Sequence, residues 1–421
     1  MVSQEKEKLF LSALEEELVP ALGCTEPIAI ALVSAKAREV LGVFPERVVI
    51  EVSGNIIKNV KSVVVPNTNG LKGVDVACIV GIIGGDASLG LEVLRSVREQ
   101  DIVETNRLLA EKFCKTLHLE TTSPLHIKVT AYCGEMSAMV ELKDGHSNIV
   151  KIIKNGEVLL EKESEVKKEE RHDIRLADIY EFANEVPLHK VSGIIKRQID
   201  CNSAICEEGL RNNYGQGIGR TLIAIYGDKD ARVLARAKAS AGSDARMGGC
   251  SLPVIINSGS GNQGITVSVP IVEFSKELHS SMETLIRAVT LSNLVAIYLK
   301  RGIGKLSAYC GVVSASCGAG AGITYLSGGT YAQITKTISN TLANVSGIVC
   351  DGAKGSCAAK IASSVDACII SHYMAMNNNA FEAGDGIVKG DIEKTIDGVS
   401  RIGKYGMKET DLEILSIMLE E

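Results

Sequence analysis

Apolar residues recur at helical spacing over residues 4–19, with Leu9, Leu11, Leu14 and Leu18 near one face and charged residues around the rest. The run Gly23-Cys24-Thr25-Glu26-Pro27 stops that helix and starts another. Thr25 or Glu26 can cap the new helix, and proline is tolerated in a first turn because its missing N–H has no intrahelical partner there. This second helix, Ile28 to Leu41, is alanine-rich and ends at Gly42. From Val48 the period drops to two: VVIEVSG and SVVVPN predict short strands around the turn-rich Gly54-Asn55 and Lys58-Asn59. Residues 71–117 return to a helical period, broken at Gly84-Gly85. Alternating segments follow at 126–133, 136–144 and 147–162, with hairpin turns at Lys143-Asp144-Gly145 and Lys154-Asn155-Gly156. The charged stretch 161–172 reads as a linker or a solvated helix, and marks a boundary. Beyond it helices are predicted near 175–187, 188–212, 217–240, 272–300, 305–325, 330–346, 355–376 and 408–419. Residues 253–271 interrupt them as a glycine-rich loop between β-branched runs. The pattern therefore predicts an α+β fold. Residues 1–172 form a smaller N-terminal region of helices plus strands near 48–66 and 125–162, and residues 173–421 a mainly helical, Ala/Gly-rich domain.

Composition narrows the class. A chain of 421 residues suits two or three domains, and 45% apolar with 23% charged residues is ordinary for a globular protein. The 45 Lys+Arg against 51 Asp+Glu leave a net charge of −6, which argues against a nucleic-acid surface. No apolar run reaches the roughly 18 residues of a membrane span. The charged start MVSQEKEKLF lacks the apolar core of a signal peptide, so a cytoplasmic location is expected. In that compartment the 12 cysteines are thiols, most of them small buried hydrophobes. With 41 Gly, no Trp and 6 Phe, small residues must fill the interior.

Some of those thiols sit where chemistry is plausible. Cys310-Gly311, Cys317-Gly318 and Cys350-Asp351-Gly352-Ala353-Lys354-Gly355-Ser356-Cys357 crowd the C-terminal half. No C-x-x-C pair occurs, so a zinc ribbon is disfavoured, whereas wide spacing with a distant ligand suits an iron–sulfur cluster. Spacing alone is a weak signal and also allows small thiols packed in a bundle. Cys24 stands just before a helix start, where a thiolate is stabilised and a lowered pKa is expected. Gly259-Ser260-Gly261-Asn262-Gln263-Gly264 fits the G-x-G-x-x-G pattern, but the β-like ITVSVP that follows does not look like the helix a dinucleotide site needs. A backbone nest for a carboxylate or phosphate is the better expectation, with a simple tight turn as its plain alternative. Ser53, Asn55, Lys58, Asn59, Asn67 and Thr68 offer polar donors in presumed loops, and the Lys354 ammonium could serve substrate binding. The seven histidines are scattered, with no metal-binding pair at i, i+4.

Taken in order, Gly23-Cys24-Thr25-Glu26-Pro27, Ser53-Gly54-Asn55 with Lys58-Asn59, Pro66-Asn67-Thr68, Gly259 to Gly264, Cys310-Gly311 and Cys350-Asp351-Gly352-Ala353-Lys354 with Cys357-Ala358 resemble the L-cysteine desulfidase family. That family is related to the alpha region of the iron–sulfur L-serine dehydratases, and the resemblance runs along nearly the whole chain. It implies an oxygen-sensitive [4Fe–4S] cluster with three cysteine ligands and one open iron. It also implies β-elimination of L-cysteine to sulfide, ammonia and pyruvate. By the same resemblance Cys310, Cys350 and Cys357 are the ligands. Cys24 is the catalytic base or a fourth ligand, and Cys317 lies outside the pattern. Substrate binding falls to Ser53, Asn55, Lys58, Asn59, Asn67, Thr68, Ser260, Asn262, Gln263 and Lys354. L-serine dehydratase is the near alternative and a non-catalytic iron–sulfur sensor a further one. A pyridoxal-phosphate lyase is disfavoured because no lysine has a phosphate-cradling context. The expected partner is a small amino acid, and the Gly/Ala-rich helical surface is compatible with a homodimer.

Overall fold

The computed structural model describes residues 2–162, 174–304 and 307–420. The expected linker at 161–172 lies outside them from residue 163 onward. Helix α1 (Gln4–Glu17) begins where the Ser3 hydroxyl accepts from the Lys6 N–H at 3.3 Å, which satisfies one of the helix's free N-terminal donors. Strand β1 (Pro20–Leu22) and helix α2 (Thr25–Leu41) follow, and α2 ends at Gly42 in the left-handed conformation. Next come β2 (Arg47–Val52), α3 (Gly54–Val60), α4 (Val74–Gly84), a 3-10 turn (Ala87–Glu92), α5 (Glu99–Ala110) and β3 (Cys114–His118). Strands β4 (His126–Cys133), β5 (Met136–Lys143), β6 (Ile149–Lys154) and β7 (Glu157–Glu161) complete a six-stranded sheet ordered β3-β2-β4-β5-β6-β7. Only β2 and β3 run parallel. Its inward positions pair across strands, Ile50 with Val129 and Val52 with Ile127, and α2 packs over β4 and β5. The two-residue period thus buries one face.

The helical half comprises α6 (Leu176–Glu185), α7 (Leu188–Arg211), α8 (Ile218–Tyr226), α9 (Ala231–Met247), the short strand β8 (Pro253–Ile255), α10 (Gly261–Glu277), α11 (Met282–Ile303), α12 (Gly311–Leu326), α13 (Tyr331–Val345), α14 (Cys357–Met376), α15 (Ile392–Arg401) and α16 (Lys408–Leu419). Helices α10 and α12 form its centre and are buried nearly throughout. Close approach explains the composition: a Cβ on Gly318 of α12 would lie 2.4 Å from the Ser292 carbonyl of α11, so only glycine permits this spacing. Helix α11 is long and apolar enough to cross a membrane by length and composition, yet 72% of its apolar window is buried inside the protein. It is packed as a core helix. Strand β1 pairs antiparallel with β8, Ala21 opposite Val254, and α16 packs on α3. These contacts fasten the N-terminal elements to the helical ones.

The α+β architecture with a helical C-terminal region agrees with the sequence pattern, but several local expectations fail: the helices predicted over 217–240 and 272–300 each divide, the first into α8 and α9 and the second between α10 and α11. Gly54 to Lys58 is helix α3 rather than a turn between strands. SVVVPN is no strand, and only an isolated bridge joins Val64 to Lys72. The predicted helix over 71–117 divides into α4, α5 and β3. Most consequentially, the glycine-rich segment does open a helix: α10 starts at Gly261 and carries Pro270 inside it. The β-branched run read as strand-like because Ile, Thr and Val prefer strands weakly. Burial on every side of α10 outweighs that preference.

Candidate active site

Four helices begin at one pocket. Cys24 is the N-cap of α2, Ser260 of α10, Cys310 of α12 and Ser356 of α14, and no side chain closes any of the four caps. From the N-terminal elements the pocket is lined by Cys24, Glu26, Asn59 and His146. Arg246, Ser260, Asn262, Gln263, Lys300, Tyr309, Cys310, Cys350, Cys357 and Lys360 line the remainder. Unsatisfied N–H groups and the positive ends of helix dipoles converge there, which favours anionic occupants.

The N-terminal wall is organised by a buried carboxylate. Glu26 Oε2 accepts from the Cys24 thiol at 2.9 Å and the Thr25 hydroxyl at 3.1 Å, and Oε1 accepts from Asn59 Nδ2 at 3.1 Å. Thr25 Oγ1 also donates to the Gly259 carbonyl at 2.9 Å, which ties α2 to the loop before α10. His146 arrives from the β5–β6 hairpin, and its Nε2 stands 3.8 Å from Glu26 Oε1 without a hydrogen-bond partner. Burial opposes the Glu26 charge, but His146 and the Cys24 thiol outweigh it and hold the carboxyl at about 2. Cys24 goes the other way. Its burial and the neighbouring Glu26 charge push the thiol well above its ordinary range. This corrects the expectation of a lowered pKa at a helix start: desolvation and a carboxylate 2.9 Å away exceed the helix-end effect.

The thiols of the opposite wall come from separate segments. A bridge between Tyr309 and Val349 aligns the two segments, with Cys310 N–H donating to the Ile348 carbonyl at 3.1 Å and Cys350 N–H to the Ala308 carbonyl at 2.6 Å. Cys357 opens α14 after the tight turn at Gly352, and its Sγ accepts from the Lys354 N–H at 3.4 Å. Facing the Cys310 thiol, Cys350 is held below the ordinary thiol range against its burial, with the Lys58 and Lys300 ammonium groups helping. Cys310 is pushed up, first by Cys350 and then by burial, and burial raises Cys357. The Lys300 ammonium is buried and pushed down from the usual lysine range by desolvation.

Of the residues singled out in the sequence, Cys24, Asn59, Ser260, Asn262, Gln263, Cys310, Cys350 and Cys357 line this pocket. Others have different partners. Ser53 Oγ donates to the Pro124 carbonyl at 2.8 Å, and Asn67 Nδ2 to the Leu94 carbonyl at 2.9 Å. Thr68 Oγ1 donates to the Val65 carbonyl at 2.7 Å. Asn55 and Lys58 both hold Asp411 of α16, and Lys354 Nζ donates to the Lys58 carbonyl at 3.1 Å. These six support the walls and do not line the pocket. Sequence reasoning missed Glu26 as more than a cap, and it missed His146, Arg246 and Lys300. Only Glu26, two residues after Cys24, carried a local signal.

Among the described residues no three His, Cys, Asp or Glu side chains stand close enough to hold a single metal ion. A [4Fe–4S] cluster makes a different demand, because each cysteine binds its own iron and the thiols stand farther apart than the ligands of one ion. Cys310, Cys350 and Cys357 suit it chemically: three thiols around one pocket, with four helix starts to offset negative charge. Buried polar atoms without partners, Asn59 Oδ1, Asn262 Oδ1, Gln263 Oε1 and Arg246 Nε, surround the same space.

The serine dehydratase alpha chain family model matches residues 88–416. A UPF0597 protein of Lachnoclostridium phytofermentans is 58% identical over 98% of this chain and 99% of its own length. One from Treponema denticola is 47% identical over the full length of both. Another, from Fusobacterium nucleatum, is 42% identical over 97% of this chain and 98% of its own.

Proposed function

Because this chain belongs to the serine dehydratase alpha chain family, whose activity is of the lyase type, we propose that it is an iron–sulfur-dependent β-eliminating lyase of a small amino acid. L-cysteine is its substrate, giving sulfide, ammonia and pyruvate, and L-serine is the near alternative. The observation that carries this reading is the meeting of Cys310, Cys350 and Cys357 with Cys24 in one pocket at four helix starts.

Cys310, Cys350 and Cys357 would hold the cluster. Once bound, it supplies a Lewis-acidic iron for the leaving group. The first turn of α10, with Ser260, Asn262 and Gln263, orients the substrate carboxylate. Cys24 serves the α-carbon. As thiolate it takes the α-proton; at rest its thiol donates to Glu26 Oε2 at 2.9 Å. Elimination leaves aminoacrylate, which tautomerises and hydrolyses in water.

The test is anaerobic reconstitution, followed by iron and sulfide content and pyruvate release from each amino acid. Wild type should form pyruvate. Cys310→Ser, Cys350→Ser and Cys357→Ser should lose iron and turnover together, whereas Cys24→Ser should keep most iron and lose turnover. Iron binding without pyruvate from either substrate favours the sensor, and a fully active Cys24→Ala removes Cys24 from the mechanism.

A further inference from the structure

Under the amino-acid lyase reading, the geometry points to Arg246 as the residue that selects substrates by their free α-carboxylate, acting with the start of α10. Arg246 lies in the last turn of α9, is 2% exposed, and is the bulkiest side chain among those fully buried. It nevertheless lines the pocket. Its Nε has no hydrogen-bond partner, and no carboxylate pairs with it among the described residues. A buried guanidinium without a counter-charge is among the costliest groups an interior can hold. Such a group persists where a ligand supplies the missing anion.

The surroundings indicate which anion. Arg246 runs beneath the first turn of α10, where a Cβ on Gly261 would fall 2.4 Å from Arg246 Nε and 2.5 Å from Val254 Cγ2. Glycine at this position is what lets the guanidinium reach the helix start. The first N–H groups of α10 lack intrahelical acceptors, and the Ser260 side chain caps none of them. A carboxylate fits both donors at once, bidentate on the planar guanidinium and in line with the helix N-terminus. The same pocket also holds the complementary sign. Glu26 is a buried carboxylate, and Asn59 Oδ1 beside it has no partner. The pocket therefore holds a buried cation together with a carboxylate and a free acceptor, groups that complement the two charges of a zwitterionic α-amino acid. Amines, esters and amides lacking the carboxylate would leave Arg246 unpaired and be rejected.

Two measurements on the full chain test this. Cluster-free protein is titrated calorimetrically with L-alanine, which has no leaving group, and with L-alaninamide. Reconstituted enzyme is assayed for KM and kcat with L-cysteine and L-serine. Wild type should bind L-alanine and ignore the amide. Arg246→Met should lose L-alanine binding and raise KM roughly 100-fold with a smaller change in kcat, while keeping its iron. Arg246→Lys should fall between. Ligand-free Arg246→Met should melt no lower than wild type, since it removes an unpaired buried charge. Gly261→Ala, which closes the cradle, gives an independent variant with the same expected KM effect. Unchanged L-alanine binding and KM in Arg246→Met overturn the assignment and leave the lyase reading intact. Loss of iron with unchanged KM in the surviving active fraction also overturns it, making Arg246 a counter-charge for the cluster. Arg246-dependent L-alanine binding by a wild type that turns over neither substrate supports the anchor and defeats the lyase reading.

Discussion

Replacing Glu26 by glutamine perturbs the site at its most connected atom pair. The carboxylate is 8% exposed and accepts from Cys24, Thr25 and Asn59. A carboxyl held at about 2 in place of its ordinary 4.5 corresponds to roughly 3 kcal/mol of preference for the charged form in the folded protein. Glutamine removes the charge and turns one acceptor into a donor, so at least one of the three donors meets an N–H₂ group. Glu26→Gln should therefore cost about 2–4 kcal/mol at pH 7, read by urea denaturation of cluster-free protein. The sign follows from the lowered value. The Glu26 contribution is complete above 4.5 and is lost as pH falls toward 2, so the gap between wild type and variant narrows over that interval. A second readout is chemical. The Glu26 charge raises the Cys24 thiol, so its removal should speed alkylation of Cys24 at pH 8, followed by peptide mass spectrometry. A stability change under about 0.5 kcal/mol together with unchanged Cys24 alkylation refutes the reasoning.

Two further outcomes are expected. Gly352 has φ +91°, and a Cβ there would lie 2.7 Å from the Lys58 carbonyl and 2.8 Å from Asn59 Oδ1, so Gly352→Ala should cost about 1–3 kcal/mol and lower iron retention after reconstitution. His372, buried against Phe274 with Nδ1 3.0 Å from Thr324 Oγ1, is pushed by desolvation from 6.5 down to about 4. Because the unfolded chain takes up that proton first, stability should fall between pH 6.5 and 4 by up to roughly 3 kcal/mol, and His372→Phe should flatten that part of the denaturation profile.

The period-two strands β4 and β5 and the amphipathic helices were legible because one face of each is buried and the other is wet, whereas β7, exposed along its length, was legible from the hairpin turn Lys154-Asn155-Gly156. The start of α10 was not, since a helix buried on all sides needs no polar stripe and its β-branched residues imitate a strand. The cysteines could be picked out by motif, and three of them do line the pocket with Cys24. Lys58 and Asn55 looked like loop ligands because nothing local announces that Asp411, more than 350 residues away, takes them. Arg246 and His146 were invisible for the same reason. One is an ordinary basic residue near a helix end and the other a hairpin histidine, and only tertiary packing delivers them to the pocket.

The pairing of β1 with β8, residues 20–22 against 253–255, has a consequence in time. The ribosome releases Cys24 and Glu26 long before it makes the thiols opposite them. At about 5–20 residues per second, Cys357 follows Cys24 by roughly 15–70 s. During that interval β1 has no partner strand, and the pocket has only its N-terminal wall. On the lyase reading, a cluster held by Cys310, Cys350 and Cys357 would therefore be installed only after Cys357 has been made. Any agent that captures Cys24 on the nascent chain, an oxidant or a stray metal ion, acts before the protein has a pocket to protect it.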